Sequence, residues 1–210
     1  MHMTDTFQNL PAEKQARVLR AAGDEFAQRG YENAKMSEIA AVAGVSVGSL
    51  YKYFDHKQDM YLHVIHNSIA EMEQLLTILS TTKDDILLKA ERIIREIQRF
   101  SRGNPLLMKL YSGATAQNDP EMAAYFAREI ETTTARIYSQ AIREAQEAGD
   151  IRSDIDPDFS AFLLHSLFMM LQFSYACEYH KERLKLYTPE ETRDDFVVEQ
   201  MLKFLKNGLR

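Results

Sequence analysis

Residues 37–54 read SEIAAVAGVSVGSLYKYF. Two short pieces with helical apolar spacing, 37–43 and 47–53, flank a turn within it. Gly44 permits the left-handed backbone that such a turn needs. Ser46 is a favourable N-cap residue for the second piece. Two short helices joined in this way predict a helix-turn-helix.

The second piece, 47–53, combines an anchoring face with an outward face. Leu50 and Phe54 are four residues apart, so they share the face that anchors this helix to a core. Gly48 adds little bulk near the helix N-terminus, where backbone N–H groups favour a phosphate. The pattern also fits a tight helical corner within a bundle. The residues that the pattern leaves to face outward are Val47, Gly48, Ser49, Tyr51, Lys52 and Tyr53.

The rest of the chain has the same helical character. Apolar residues recur at spacings of three and four, and no segment shows the sustained alternation of a strand, so we predict an all-α fold. A small three-helix unit comes first, and a larger helical body follows it. The predicted helices span residues 11–29, 37–43, 47–53, 57–79, 86–102, 106–117, 121–148, 157–185 and about 188–208.

Composition describes an ordinary globular protein of 210 residues with a net charge of −6 and one cysteine. One cysteine excludes an internal disulfide and a zinc site built from cysteines. The longest apolar segment, 161–173, contains His165 and Gln172, so we expect it to be too short and too polar to span a membrane. The first residues lack the basic and apolar regions of a signal peptide. These features predict a cytoplasmic protein with no membrane contact.

Several short motifs in the first third of the chain occur together, in register and without gaps. They are Gly30-Tyr31-Glu32, Ile39-Ala40, Ala43-Gly44-Val45-Ser46, Gly48-Ser49-Leu50-Tyr51, Tyr53-Phe54 and Lys57. Over residues 10–62 the chain therefore resembles the N-terminal DNA-binding domain of the TetR family of bacterial transcriptional regulators. The resemblance implies a homodimer that represses transcription and leaves double-stranded DNA when a small-molecule effector binds. We expect a helix-turn-helix domain at 1–56 and a ligand-binding and dimerisation domain at 57–210, with 57–79 as connecting helix.

The resemblance also implies which residues meet DNA. Three positions depart from family habits: Ala34-Lys35 replaces two threonines, Val47 replaces a polar or basic residue, and His56 replaces a serine or asparagine cap. We expect Val47 to lie against a thymine methyl group and the lysines and tyrosines to bind mainly phosphate. The expected DNA-binding residues are Lys35, Ser46, Val47, Gly48, Ser49, Tyr51, Lys52, Tyr53, His56 and Lys57.

The predicted helix 157–185 is apolar on two faces, which indicates burial on both. In the family-like interpretation, one face meets the partner subunit and the other meets its own body. A two-fold axis through this contact would place the two recognition helices about 34–36 Å apart, one turn of DNA. The expected dimer residues are Phe159, Leu163, Ser166, Met170 and Phe173, with Val197, Met201, Phe204 and Leu205 on the final helix.

The body is rich in methionine and aromatic residues, which suit an adaptable apolar ligand site. At helical spacing the same residues also fit an ordinary core. His165 and Gln172 are the best polar candidates for contacting a ligand. The expected ligand-binding residues are Met108, Tyr111, Met122, Phe126, Tyr138, His165, Phe168, Met169, Gln172 and Tyr175.

Two other function classes compete with a regulator. One is a helical-bundle enzyme, but Cys177 has no activating neighbour in sequence, and His63 and His66 fit solvated side chains better than a metal site. We therefore expect no catalytic residue, metal or cofactor. The other is a helical protein that binds small molecules and not DNA. Retention on duplex DNA that depends on salt separates it from a regulator.

Overall fold

The computed structural model describes residues 4–116, 118–189 and 193–210, without the side chains at 68–69, 71–73, 75 and 79–80. Within this part of the chain the regular structure is helical, which confirms the predicted all-α class. The helices are α1 Asp5–Gln8, α2 Ala12–Asn33, α3 Met36–Ala43, α4 Val47–Tyr53, α5 Lys57–Thr81, α6 Ile86–Gly103, α7 Pro105–Thr115, α8 Pro120–Glu147, α9 Pro157–Ala176, α10 Glu178–Lys185 and α11 Asp194–Leu209.

The chain forms two compact units. The first unit contains residues 1–70 and 109–130, and the second contains 71–108 and 131–210. Helices α5, α7 and α8 therefore each contribute residues to both units. The functional boundary at 56/57 stays a prediction.

The first unit has an aromatic cluster, which we define as Phe26, Tyr31, Tyr61, Tyr125 and Phe126. Tyr61 is buried, and its hydroxyl donates to the Leu110 carbonyl at 2.7 Å. The Phe126 ring lies 5.7 Å from the Tyr31 ring and 5.5 Å from the Tyr61 ring. Burial raises the pKa of the Tyr61 phenol, so the group stays neutral. These contacts tie segment 109–130 to α2 and α5.

The second unit is organised around α6, which packs against α9 and α11. The buried Gln98 of α6 donates through Nε2 to the Tyr175 hydroxyl at 2.9 Å and to the Asp194 carbonyl at 3.1 Å. The Arg102 guanidinium pairs with Asp194 and lies 4.5 Å from the centre of the Tyr175 ring. This network joins the start of α11 to the ends of α6 and α9.

The predicted single helix 157–185 is two helices. Cys177 has an extended backbone, with φ −104° and ψ 126°, which ends α9 at Ala176 and lets α10 begin at Glu178. Neither glycine nor proline marks this break, so the apolar spacing gave no sign of it. Helix α10 packs back on α9.

Helix α9 differs from the sequence expectation in length. It has 20 residues, and by length and mean hydropathy it is long and apolar enough to cross a membrane. The expectation that this segment is too short is therefore wrong, because the helix extends beyond 161–173 at both ends. A core helix passes the same test, and α9 buries Leu164, Phe168 and Leu171 against its own unit. The lack of membrane contact stays a prediction.

Candidate nucleic-acid interface and ligand crevice

The turn between α3 and α4 ends one helix and begins the next within three residues. Gly44 takes the left-handed conformation with φ +65°, and the N–H of Val45 donates to the Ala40 carbonyl at 3.0 Å. Ser46 Oγ then accepts from the Ser49 N–H at 3.0 Å, as the N-cap assignment predicted. Local hydrogen bonds therefore set the angle at which α4 leaves the turn.

Helix α4 buries one face and exposes the other. Leu50 and Phe54 are fully buried, which confirms the expected anchoring face. Val47 is 38% exposed and Tyr51 is 50% exposed. The other outward residues of this face are Ser46, Gly48 and Lys52, with Ser49 half-buried. The face is available to a macromolecule, and its contact with DNA stays a prediction.

Tyr53 is a correction to the expected outward set. Its side chain is buried, with the Phe7 ring 5.6 Å away and the Lys14 ammonium 5.9 Å from the ring centre. It lies three positions after Leu50, so the two residues share the inner side of the helix. The expectation that Tyr53 faces outward is therefore wrong.

Lys57 is engaged inside the protomer. Its Nζ donates to the carbonyls of Glu32 and Ala34, both at 3.1 Å, and lies 4.8 Å from the Tyr31 ring centre. Two of the three ammonium donors thus have backbone partners. This geometry goes against the expectation that Lys57 binds mainly phosphate, and it holds the end of α2 to the start of α5. Lys35 and His56 are exposed.

A narrow apolar crevice opens in the second unit, with a volume of about 380 Å³ including its mouth. Lys89 is the charged residue of its lining. Apolar walls with few polar groups are typical of small-molecule sites. The lining residues are Leu76, Ile86, Lys89, Ala90, Ile93, Ile137, Tyr138, Ala141, Leu164 and Phe168.

A second, more polar depression of about 460 Å³ shares Ile86, Lys89 and Ala141 with the crevice. We call it the vestibule. Lys83, Asp84, Glu144 and Asp150 belong to its lining, together with Thr82, Ala145 and Ala148. The crevice and vestibule therefore offer apolar walls on one side of Lys89 and charged groups on the other.

The predicted ligand residues are divided between the two units. Met108, Tyr138, His165, Phe168, Met169, Gln172 and Tyr175 belong to the second unit, and Tyr111, Met122 and Phe126 belong to the first. Among them, Tyr138 and Phe168 line the crevice. Phe126 belongs to the aromatic cluster, and Tyr175 bonds Gln98, so both have structural partners that the sequence did not show. Most of the crevice lining, such as Ile93 and Ile137, lay outside the predicted set.

Tyr138 connects the crevice to a polar pair. Its ring stacks on the His165 ring at 5.4 Å, and His165 Nδ1 lies 3.6 Å from Glu131 Oε2. Burial lowers the pKa of His165, and the nearby Glu131 carboxylate opposes that shift. Burial also raises the pKa of the Tyr138 phenol. Tyr138 therefore presents a neutral aromatic wall to the crevice.

An exposed apolar stripe runs along α9, and we call it the α9 stripe. Phe159 is 61% exposed and Leu163 is 49% exposed. Ser166 turns its hydroxyl back to the Phe162 carbonyl at 2.7 Å, so it adds no free polar group. The spacing of the stripe follows one helix face. Its members are Phe159, Phe162, Leu163, Ser166, Leu167 and Met170.

The predicted dimer residues fall partly on this stripe. Phe159, Leu163, Ser166 and Met170 belong to it, and on α11 Phe204 is exposed and Met201 half-buried. Phe173, Val197 and Leu205 are buried within the protomer, so their expected place on an outer face is wrong. Phe173 stacks on His180 of α10, a segment that the sequence pattern predicts as a continuation of α9. Phe162 and Leu167 complete the exposed face and were missed.

Comparison with known proteins agrees with this geometry. Residues 18–64 match the family model described as "Bacterial regulatory proteins, tetR family". The match covers the turn at Gly44 and all of α3 and α4. This segment belongs to the TetR family.

Relatives extend the likeness beyond the matched segment. The chain is 27% identical over 161 residues to the HTH-type transcriptional repressor SCO4008 of Streptomyces coelicolor, covering 73% of this chain and 76% of that one. A TetR-family structure from Chloroflexus aurantiacus is 26% identical, with a TM-score of 0.66 over 100% of this chain and 99% of that chain. The regulator FadR from Bacillus subtilis, in complex with stearoyl-CoA, is 16% identical with a TM-score of 0.74, covering 93% of this chain and 99% of that one, and shares the fold.

The proteins that the chain matches are transcriptional regulators of the TetR family and not enzymes. Regulators of this family bind DNA and small-molecule effectors and act as dimers. The single thiol is consistent with that conclusion, because burial raises the pKa of Cys177 and disfavours the nucleophilic thiolate. Among the residues that the structure describes, no cluster of side chains has the composition of a metal site.

Proposed function

We propose that this protein is a cytoplasmic repressor that binds a palindromic operator as a homodimer and leaves it when a small amphipathic effector binds. The observation that carries the proposal is the outward face of α4, which the capped turn at Gly44 and Ser46 positions on a buried Leu50. A helix held in this way can enter the major groove of DNA.

The exposed side chains of α4 support two kinds of contact. Val47, near the start of the helix, is suited to a thymine methyl group, which is an apolar feature of the major groove. Tyr51 and Lys52 are suited to phosphate oxygens, which fix the position of the helix. Lys35 and His56 are exposed beside this region of the chain and complete the proposed set. With a net charge of −6, the protein relies on local lysines such as Lys35 and Lys52 to bind DNA.

Selection from random duplexes tests the proposal directly. The expected result is a pseudo-palindromic site whose half-sites are about 10 base pairs apart, centre to centre. Fluorescence anisotropy across a salt series then measures affinity, which falls as salt rises. A protein that enriches no duplex at low salt is not a DNA-binding regulator. A gene that loses expression when the protein is deleted would make it an activator.

Lys52 and Val47 should separate positioning from sequence recognition. Lys52→Ala is expected to weaken binding to all duplexes and to reduce the salt slope by about one. Val47→Ala is expected to relax preference for thymine at one position, at a cost of about 1–3 kcal/mol for the preferred site. Anisotropy on the selected operator and on single-substitution variants measures both. A changed base preference in Lys52→Ala would contradict these roles.

The proposed homodimer uses the α9 stripe. Large contiguous apolar patches on a soluble surface mark interaction sites, and two copies of one helix face suit a two-fold contact. Phe204, which is 66% exposed on α11, offers a further apolar surface. This role also accounts for the hydropathy of α9 without a membrane.

The proposed effector has an apolar part and a polar end. The apolar walls of the crevice favour a hydrocarbon or ring of limited size. Lys89 stands where the crevice meets the vestibule, so it can pair with a carboxylate at the end of such a molecule. A series of straight-chain carboxylates, tested for release of a labelled operator, identifies the chain length that fits.

Filling the crevice should block the effector and spare DNA binding. Ile93→Trp adds a large ring to the apolar wall, and the expected loss of affinity for the releasing carboxylate is about tenfold or more. Operator affinity should change by about twofold at most. Ile78→Trp, at an exposed position of α5, is the matched control and should change neither. Equal carboxylate affinity in Ile93→Trp and wild type would place the effector elsewhere.

A further inference from the structure

The end of α4 lacks the local cap that closes α3. Helix α3 ends on left-handed Gly44, whereas the residue that follows α4, Phe54, has an extended backbone with φ −138° and ψ 126°. The carbonyls of the last turn of a helix have no partners within it. A helix of seven residues is also marginal by itself. Helix α4, the proposed recognition helix, therefore needs a cap from elsewhere in the chain.

Thr4 provides this cap from 48 residues earlier in the sequence. Its hydroxyl donates to the Lys52 carbonyl at 2.7 Å, and its backbone N–H donates to the Tyr53 carbonyl at 3.2 Å. The hydroxyl oxygen is also 3.2 Å from the Tyr53 carbonyl, so its single proton goes to the nearer acceptor. One residue thus satisfies two carbonyls at the end of α4.

Phe7 fixes Thr4 in this position. The Phe7 side chain is fully buried, and its ring lies 5.6 Å from the Tyr53 ring, 4.8 Å from the Phe54 ring and 5.9 Å from the His63 ring. Helix α1 is a single turn that packs against α4. Aromatic burial of this kind is a large packing contribution for so short a segment.

We infer that segment 4–8 is a clamp that positions the recognition helix for DNA, with Thr4 and Phe7 as its positioning residues. The clamp acts on the C-terminal turn of α4, which carries Tyr51 and Lys52 toward the proposed phosphate contacts. Without the clamp, the last turn of α4 frays in the free protein. DNA binding must then order this turn, and the free-energy cost of ordering weakens the affinity. Neither residue needs to touch DNA for this effect.

Thr4→Val and Thr4→Ser form a matched pair that tests the clamp. Valine keeps the shape of threonine and removes the hydroxyl, whereas serine keeps the hydroxyl. We expect Thr4→Val to weaken operator binding by about fivefold and to speed amide exchange at Leu50 and Phe54 by a similar factor, as loss of one hydrogen bond predicts. Thr4→Ser should stay within about twofold of wild type in both measurements.

Phe7→Ala should enlarge the same effects, with amide exchange at Val45 and in the second unit unchanged. Amide exchange that rises throughout the chain would show that Phe7→Ala loses its fold generally. In that case the comparison of Thr4→Val with Thr4→Ser tests the clamp. The inference would be overturned if Thr4→Val had the operator affinity and the α4 amide exchange of the wild type. Exchange is measured on the free protein, so it tests the clamp even if the wild type selects no duplex, a result that would count against DNA binding alone.

Discussion

Replacing Leu163 with glutamate is expected to separate the proposed dimer into protomers and to abolish tight operator binding. Leu163 lies in the middle of the α9 stripe, and a two-fold axis brings both copies of the change into one interface. Carboxylates in an apolar contact lose hydration without gaining partners. A separated protomer holds one half-site, so operator affinity should fall by about a hundredfold or more. Sedimentation and operator titration at matched protein concentration measure both changes.

Leu186→Glu is the control for this change. Leu186 follows α10 and is 82% exposed, so the same substitution there adds a solvated charge without entering the stripe. It should leave both the dimer and operator affinity as in wild type. A Leu163→Glu protein that stays dimeric and binds the operator tightly would show that the α9 stripe is not the subunit contact.

The helix-turn-helix could be predicted from sequence because its determinants are local. Gly44 ends α3 and Ser46 caps α4 through groups within five residues, so the residue types alone indicate the turn. Leu50 and Phe54 follow from helical spacing. The cap at the other end of α4 could not be predicted in this way, because Thr4 lies 48 residues away and no spacing rule connects the two.

The faces of α9 show a different limit. Apolar residues surround most of this helix, so the pattern indicates two buried faces but does not fix their rotation. Packing against α6 buries Leu164 and Phe168 and leaves Phe162 and Leu167 outside. Of the predicted dimer residues on this helix, Leu163 belongs to the exposed α9 stripe, whereas Phe173 is buried. Tertiary packing, and not periodicity, chose the exposed face.

The crevice was the least predictable part. Its lining comes from α5, α6, α8 and α9, and isoleucine and alanine provide much of it. Such residues are common in every helical core, whereas the ligand residues predicted from the sequence are mainly methionine, tyrosine and phenylalanine. The prediction for Lys57 was wrong for a related reason. Its charge indicated a contact with DNA phosphate, but the backbone carbonyls that it binds come from a distant part of the sequence and are seen only in the fold.

Two helices carry residues of both the crevice and the aromatic cluster. Helix α5 contains Leu76 of the crevice and Tyr61 of the cluster, and α8 contains Tyr138 and Phe126 in the same roles. An effector that shifts either helix therefore acts on a continuous element that ends in contacts with α2. We propose this as the route by which effector binding reaches the DNA-binding domain, since signalling needs an element that both sites bias.

Phe126→Ala is expected to weaken the coupling between effector binding and operator affinity. The buried ring touches both Tyr31 and Tyr61, so its removal costs about 3–5 kcal/mol of unfolding free energy. The larger consequence concerns signalling: the ratio of operator affinities without and with the releasing carboxylate should fall from about tenfold or more toward one. Anisotropy with and without the carboxylate gives this ratio, and chemical denaturation gives the stability.

Phe100→Ala separates lost signalling from lost stability. Phe100 is also a buried phenylalanine, but it belongs to α6 in the second unit and is absent from the crevice lining. Its removal should cost a similar unfolding free energy, because the cavity left behind is of similar size. It should keep the wild-type affinity ratio, because Phe100 belongs to neither the crevice lining nor the aromatic cluster. Equal loss of the ratio in both variants would mean that general destabilisation weakens the response, and that the aromatic cluster does not transmit it.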